Sequence, residues 1–260
     1  MPRILRGVVA PSPSSWQAAW VELAAVAALT VAYLAAARRH RPSTVRAACF
    51  VAAVVLFLAV SVTPLGTLAL HYLLTAHLVQ NVALAEWIPL LLVASLPPSL
   101  AESLARVPVI RLLTAPAIAL PLWLGSYVVW HIPAPYDAAL EHHALLHLEH
   151  LTYLVTGFFL WWPVVHSAPR VLSSGAKAAY LFIAFVFASP LGLLLALLTE
   201  PLYDFYVDAP RLRDLTPLDD QQIAGIAMAV SEAIVFFVAF AIVFVKFMAE
   251  EEAAPDPEPR

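Results

Sequence analysis

Apolar runs of about 20 residues recur along the whole chain, and they constrain its fold more than any other feature. A helix needs about 20 apolar residues to cross the hydrocarbon core of a bilayer. Of the 260 residues, 62% are hydrophobic and 12% are charged, and a soluble domain carries roughly twice that charged fraction. The runs are continuous, whereas the strands of a transmembrane barrel alternate. The sequence therefore predicts an all-α membrane protein.

Seven transmembrane helices are predicted, and they form one domain of residues 1–248. The predicted spans are residues 17–37, 44–63, 68–96, 115–132, 142–165, 177–198 and 219–246. Residues 249–260 are acidic and proline-rich, and we expect them to form a disordered tail. Pro89 and Pro190 lie inside spans, where we expect kinks whose freed carbonyl groups are satisfied by neighbouring helices. The N-terminal residues lack an apolar region, so no cleaved signal peptide is expected.

Arginine and lysine are distributed unequally between the two sides of the predicted bundle. Of the 14 basic residues, all but Arg3, Arg6, Arg211 and Arg213 fall on one side when the spans alternate. The positive-inside rule then predicts that the N-terminus lies outside and the C-terminus in the cytoplasm.

Histidine is the residue type that most suggests a function. On the predicted topology, seven of the nine histidines fall towards the outer side: His71, His77, His131, His142, His143, His147 and His150. His143, His147 and His150 are spaced by four and three residues and therefore share one face of the fifth span. The sequence predicts a row of imidazoles at the outer mouth of this span.

Two further spans can add polar groups to this row. His77 and Asn81 share a face of the third span, with His71 nearer the water. His131 ends the fourth span. Imidazole suits copper, zinc, iron and nickel, and with Cys49 as the single cysteine a thiolate cluster is excluded. The alternatives to a metal site are a haem protein, a proton relay, or histidines that only pack and hydrogen-bond.

Polar residues also occur deep within the third and seventh spans. Glu86 and Glu232 are carboxylates at membrane depth, which suggests proton handling or charge balance at a metal site. Asp220 lies near the start of the seventh span, where Gln221, Met228 and Glu232 follow one stripe. Met228 could be a soft ligand for Cu(I), although a lone methionine more often packs.

Several functional classes are disfavoured. No basic patch suggests nucleic acid. The chain has no HExxH sequence, no phosphate-binding glycine loop and no nucleophile paired with a histidine, so we do not expect an enzyme. A retinal photoreceptor is disfavoured because Lys246, the lysine nearest the seventh span, lies at its cytoplasmic end.

Three blocks stand in a distinctive order: AHLVQN in the third span, WHIPAPYDAAL with LHLEH and WWPV around the fifth, and LTPLDDQQIAGIAM entering the seventh. Together they resemble the CtaG family, the assembly factors of caa3-type cytochrome c oxidase. The positions that match the family's motifs are His77, His131, His147, His150, Asp220, Gln221, Gly225 and Met228. The chain departs from the family at Asn81, where a second histidine is more common, and at Ala229, where a tryptophan is.

The resemblance implies a multi-pass protein of the bacterial plasma membrane, with cytochrome c oxidase subunits and the lipid bilayer as partners. It further implies a role in maturing the oxidase at a copper centre. Copper would be bound by four outer-side histidines, His77, His131, His147 and His150, and handed to a nascent oxidase subunit. Possible additional ligands are His71, Asn81, His143, Glu86, Asp220, Gln221, Met228 and Glu232. Two alternatives stay open: a haem-binding or electron-transfer protein, and a metal-free scaffold for oxidase subunits.

Overall fold

The computed structural model describes residues 10–17 and 19–253, and every regular element in that part of the chain is a helix. The helices are α1 (Trp20–His40), α2 (Thr44–Ser61), α3 (Pro64–His71), α4 (Leu74–Val82), a π-helical turn (Ala83–Trp87), α5 (Ile88–Ser95), α6 (Pro98–Ala105), α7 (Pro108–Leu113), α8 (Pro116–Trp130), α9 (Pro133–Glu141), α10 (His143–Val165), α11 (Ser174–Leu197), α12 (Asp204–Asp208) and α13 (Pro217–Glu252). The prediction of an all-α protein is confirmed. Arg3, Arg6 and residues 254–260 of the expected tail lie outside the described residues.

Five helical segments are long and apolar enough to cross a membrane: α1, α2, the segment from α4 through α5, α11 and α13. The pair α8 and α9, bent by 75° at a short break, makes a sixth if it is a single span. Large apolar side chains such as Phe187, Leu197 and Phe237 point outward, as expected where lipid replaces water around a bundle. The chain is therefore a multi-pass membrane protein with five or six candidate spans.

Length and apolar composition alone identify five or six membrane spans, fewer than the seven predicted. The fifth predicted span corresponds to α10, which has 23 residues and is thus long enough at about 1.5 Å per residue. Its first two turns carry three histidines and Glu149, and these polar residues lower its hydropathy. The last helix extends to Glu252, so the first four residues of the expected tail are helical.

The third predicted span is not one helix. α3 ends at His71, and α4 begins only at Leu74, after a short break. His71 therefore belongs to a different helix from His77, which corrects the prediction that they share one span. The segment from α4 through α5 is the centre of the bundle, since two thirds of its apolar window is buried, against none of α1.

Pro89 disturbs this central segment as its position predicts. A proline lacks the N–H that would bond to the carbonyl four residues earlier, here that of Ala85, and the π-helical turn immediately precedes it. The indole Nε1 of Trp123 in α8 donates to the Ala85 oxygen at 3.2 Å. A neighbouring helix thus satisfies the freed carbonyl, as expected. Pro190, by contrast, lies within α11, which is continuous.

Glycines allow two close helix crossings. A Cβ atom on Gly157 of α10 would lie 2.2 Å from the Ala85 oxygen. At the crossing of α11 and α13, a Cβ atom on Gly225 would lie 2.5 Å from the Gly192 oxygen and from the Ala196 nitrogen. Such contacts let helix backbones approach closely in a membrane. The match of Gly225 to the family motif is therefore explained by packing.

Replacing Gly225 with alanine is expected to destabilise the protein by about 1–3 kcal/mol, because both clashing atoms belong to backbone that cannot move aside cheaply. Gly125 of α8 is the matched control, since a Cβ atom there would meet nothing within 4 Å. Gly125→Ala should be neutral or stabilising by up to about 1 kcal/mol, owing to the higher helix propensity of alanine. Thermal unfolding of both variants in the same detergent measures the difference, and equal melting temperatures would contradict the prediction.

Candidate functional site

Histidine and tyrosine side chains form a buried cluster at the end of the bundle where α4 and α10 begin and α8 ends. His77 lies in the first turn of α4, His150 lies two turns into α10, and His131 follows the last residue of α8. Their exposed fractions are 0%, 8% and 4%. The ring centroids of His77 and His150 are 6.4 Å apart. Three of the four histidines predicted to bind metal thus meet in one buried region.

Tyrosine rings fill the space between these imidazoles. The ring of Tyr136 from α9 lies 5.3 Å from that of His77 and 6.1 Å from that of His131. Its other side stacks on Tyr203 at 3.9 Å. Tyr206 approaches His77 at 6.2 Å. The cluster is therefore a packed aromatic cage, and we refer to His77, His131, His150, Glu149, Asn81 and these three tyrosines as the histidine–tyrosine cluster.

The connection between α11 and α13 places Tyr203 and Tyr206 in the cage. The Asp137 carboxylate of α9 accepts hydrogen bonds from the backbone N–H groups of Asp204 and Phe205, both at 3.3 Å, at the start of α12. The Tyr203 hydroxyl then donates to the backbone oxygen of His131 at 3.0 Å. This polar network holds α12 over the histidines.

Glu149 is the functional residue that the sequence analysis missed. It is 1% exposed, and its Oε1 accepts a hydrogen bond from Asn81 Nδ2 at 3.0 Å. The same oxygen lies 3.7 Å from Nε2 of His77. The signal was present in the sequence, since Glu149, Tyr153 and Gly157 recur every four residues along the buried side of α10. The cluster therefore contains a buried carboxyl group in direct contact with a candidate ligand.

Several polar atoms of the cluster have no hydrogen-bond partner among the described residues. They are both ring nitrogens of His77, Nε2 of His131, Nε2 of His150, Oδ1 of Asn81 and the Tyr136 hydroxyl. Buried polar groups are nearly always paired, because an unpaired one costs about 1–3 kcal/mol. Nδ1 of His131 donates to the Tyr127 carbonyl at 2.7 Å, which leaves the lone pair of a neutral imidazole on Nε2. Unsatisfied nitrogens on three neighbouring imidazoles are the donor set that a soft or borderline metal ion uses.

The cluster is not a preassembled metal centre. The residues that the structure describes contain no group of three or more histidine, cysteine, aspartate or glutamate side chains positioned to hold one ion. Binding of a metal by the three imidazoles therefore requires their side chains to move closer together.

His147 lies apart from the other predicted ligands. Its side chain is 36% exposed, and its Nδ1 lies 3.3 Å from Oε1 of Glu22 in α1. His143 is exposed. Partial burial, and to a smaller extent His143, lower the pKa of His71. The predicted stripe on α10 is thus divided, with His150 directed inward and His143 and His147 towards the surface.

Asp220 has a structural role between helices. Its carboxylate accepts hydrogen bonds from the backbone N–H groups of Leu74 at 2.7 Å and Thr75 at 3.1 Å, and from the Thr75 hydroxyl at 2.6 Å. α4 has no capping side chain of its own at Leu73. Asp220 of α13 therefore caps α4, the helix that carries His77.

Gln221 and Met228 also serve the fold. The Oε1 of Gln221 accepts from the Leu202 N–H at 2.6 Å, and its Nε2 donates to the Glu200 carbonyl at 3.2 Å. These bonds fix the chain that leads to Tyr203. Met228 is fully buried in the apolar core. None of these contacts includes a histidine of the cluster.

Glu86 and Glu232, the predicted intramembrane carboxylates, lie deeper in the bundle. Glu86 is in the π-helical turn and Glu232 is in α13, and both are completely buried. The Tyr127 hydroxyl donates to Oε1 of Glu86 at 3.3 Å. Glu86 and Glu232 form a separate polar site below the histidine–tyrosine cluster.

The comparisons with known proteins give one match. Residues 30–250 match the family model described as cytochrome c oxidase caa3 assembly factor (Caa3_CtaG). Searches of curated proteins and of solved structures found no match. The matched range covers most of the chain and includes every residue of the histidine–tyrosine cluster.

Proposed function

The chain belongs to the cytochrome c oxidase caa3 assembly factor family, and on that premise we propose that its histidine–tyrosine cluster takes up copper and passes it to an oxidase subunit. Members of such a family assist assembly, and no catalytic role is needed for that. Copper is the cargo in this proposal, and the oxidase subunit is the partner that receives it.

The unpaired imidazole nitrogens of His77, His131 and His150 carry the proposal. Neutral imidazole is a good copper ligand. The adjacent carboxyl of Glu149 supplies negative charge to offset a cation inside the bundle. Because the three imidazoles are near each other without being fixed around one point, a bound ion would have an incomplete and exchangeable shell, which suits transfer better than storage.

The membrane arrangement is part of the proposal. The five candidate spans, the bent pair α8 and α9, and α10 together make seven, with the N-terminus outside and the C-terminus in the cytoplasm of a bacterium. Most basic residues then lie inside, as the positive-inside rule requires. The histidine–tyrosine cluster is at the outer end, the side from which copper would reach an oxidase.

Haem, the alternative cargo or cofactor, fits the packing less well. A haem held by His77 and His150 would need an open slot between them for the macrocycle. Tyr136 and Tyr206 instead pack against His77, and Tyr136 is itself stacked on Tyr203. A single metal ion needs only small side-chain movements in the same space.

The copper content of purified protein tests the proposal. A variant with His77→Gln and His150→Gln keeps polar side chains at both positions but removes two of the three imidazoles, so we expect its copper to fall to background while the wild type retains it. His142→Ala is the matched control, since His142 is exposed on the same side and should leave the copper content unchanged.

Melting temperature in detergent must show that the double variant is folded. Equal copper in the wild type and a folded double variant would overturn the proposal. A Soret band that disappears with the two histidines would establish haem instead. Normal oxidase maturation by a copper-free double variant would establish a scaffold role.

A further inference from the structure

Glu86 and Glu232 are buried inside the bundle, on two elements that pack together. Glu86 belongs to the π-helical turn, and Glu232 lies about four turns into α13, which contacts that turn. Both side chains are 0% exposed. The Tyr127 hydroxyl of α8 contacts Glu86 at 3.3 Å. Neither belongs to the histidine–tyrosine cluster, and the proposed function does not use them.

These two carboxyls have almost no hydrogen-bond partners. In the described part of the chain, Oε1 of Glu86 accepts from the Tyr127 hydroxyl, while its Oε2 and both oxygens of Glu232 are unpaired. The ion pairs of the described residues include neither glutamate. Lys246, the basic residue of the same helix, lies several turns further along α13.

Aromatic side chains pack around Glu86 and Glu232. Trp123 stacks against Tyr127 with ring centroids 5.2 Å apart. It also packs, at a tilt of 55° and 5.6 Å, against Phe236, one helical turn beyond Glu232. Trp161 of α10 also stacks on Phe236, at 5.3 Å, and its indole N–H is buried without a partner among the described residues. This unpaired donor thus belongs to a residue that packs one helical turn away from Glu232.

Few ionisable groups face the pair. α8 contributes Tyr127, and Tyr153 of α10 lies next to it, with ring centroids 6.0 Å apart. α11 carries its ionisable groups, Lys177 and Tyr180, in its first two turns. The Tyr180 hydroxyl donates a hydrogen bond to the Leu160 carbonyl. No positive side chain is thus available at this depth in the described residues to neutralise two carboxylates.

Two neighbouring carboxylates in a medium of low dielectric cannot both be ionised, because each disfavours the charge of the other and both lose their hydration. A bound cation would relieve the repulsion, but hard cations take six or more oxygen ligands. Here a tyrosine hydroxyl and two carboxyls are present, and the described residues contain no metal-binding group of three. A proton, unlike a metal cation, needs only one carboxyl oxygen to bind it.

We propose that Glu86 and Glu232 form a proton-binding site in the membrane interior, in which at least one of the two carboxyl groups is protonated at neutral pH and Tyr127 donates its hydroxyl to Glu86. The proton is carried on a carboxyl oxygen of one of the two glutamates. The π-helical turn directs Glu86 to this position.

Infrared spectroscopy of the purified full-length protein in detergent tests the site, because a protonated carboxyl absorbs separately from a carboxylate. At neutral pH the wild type is expected to show a protonated carboxyl band that shifts in heavy water. Glu86→Gln and Glu232→Gln are neutral isosteres of the protonated acid, so both variants should fold. The band should weaken or shift in each variant and vanish in the double variant.

Glu102→Gln is the matched control, because Glu102 is exposed in α6 and lies outside the buried pair. Its replacement should leave the band unchanged. A wild-type spectrum without a protonated carboxyl at neutral pH would overturn the proposal, and so would a band that persists in the folded double variant. Bound metal that is lost from both single variants would overturn it in favour of a cation site.

Discussion

Replacing Asp220 with alanine is expected to lower the free energy of unfolding by about 3 kcal/mol or more, the largest stability loss that we expect from one polar side chain here. The reason is the number of donors that it leaves unpaired. Asp220 accepts from the backbone N–H groups of Leu74 and Thr75 and from the Thr75 hydroxyl. Each buried donor without an acceptor costs about 1–3 kcal/mol. The start of α4, which carries His77, should therefore loosen.

A graded series of variants tests this explanation by thermal unfolding in one detergent. Asp220→Asn keeps one acceptor oxygen and should melt between the wild type and Asp220→Ala. Asp219→Ala is the control, because the exposed Asp219 side chain accepts a hydrogen bond from the Thr216 hydroxyl at 2.6 Å; losing such a capping partner costs about 1 kcal/mol. If Asp219→Ala and Asp220→Ala melt together, the capping of α4 by Asp220 is not important for stability.

Local sequence features predicted the helices and several of their details. Long apolar runs can form only spanning helices in a membrane, which explains why most span boundaries agree within a few residues. Pro89 acts on the carbonyl four residues before it, so the disturbed helix could be predicted without knowing its neighbours. The burial of His77, His131 and His150 could likewise be predicted from the sequence, because polar residues at membrane depth turn towards the interior.

Long-range partners could not be predicted from the sequence. Asp220 and Leu74 are 146 positions apart, and no local pattern joins them. The histidine stripe is divided for a related reason. Spacings of four and three place His143, His147 and His150 on one broad face, but only the packing of neighbouring helices decides which edge of that face is buried. Packing favours the edge with Leu146, Glu149 and Tyr153, which leaves His147 beside α1.

The same packing explains why Glu149 was overlooked. Asp220 and Gln221 look like ligands in a sequence, because carboxylates and amides at membrane depth are rare. In the fold they also hold α4 and the segment before Tyr203 in place. Both residues therefore have a role in building the cage.

Glu149→Gln is expected to weaken copper binding by about 10–100-fold, the range found when a carboxylate that supports a histidine ligand is lost. Glutamine has nearly the same shape as glutamate, and its carbonyl oxygen can still accept from Asn81. The substitution therefore removes negative charge beside His77 without opening a cavity. A competition titration against a chelator of known copper affinity measures the change.

Glu22→Gln is the matched control, because Glu22 also contacts an imidazole, that of His147, but outside the cage. We expect it to leave the copper affinity unchanged. Stability provides a second, independent readout. A carboxylate buried without a full cationic partner costs free energy in the metal-free protein, so Glu149→Gln should unfold at the same temperature as the wild type or a higher one. A purely structural role for Glu149 predicts the opposite, a lower melting temperature with no specific loss of copper, and that result would contradict its assignment as the counter-charge for the ion.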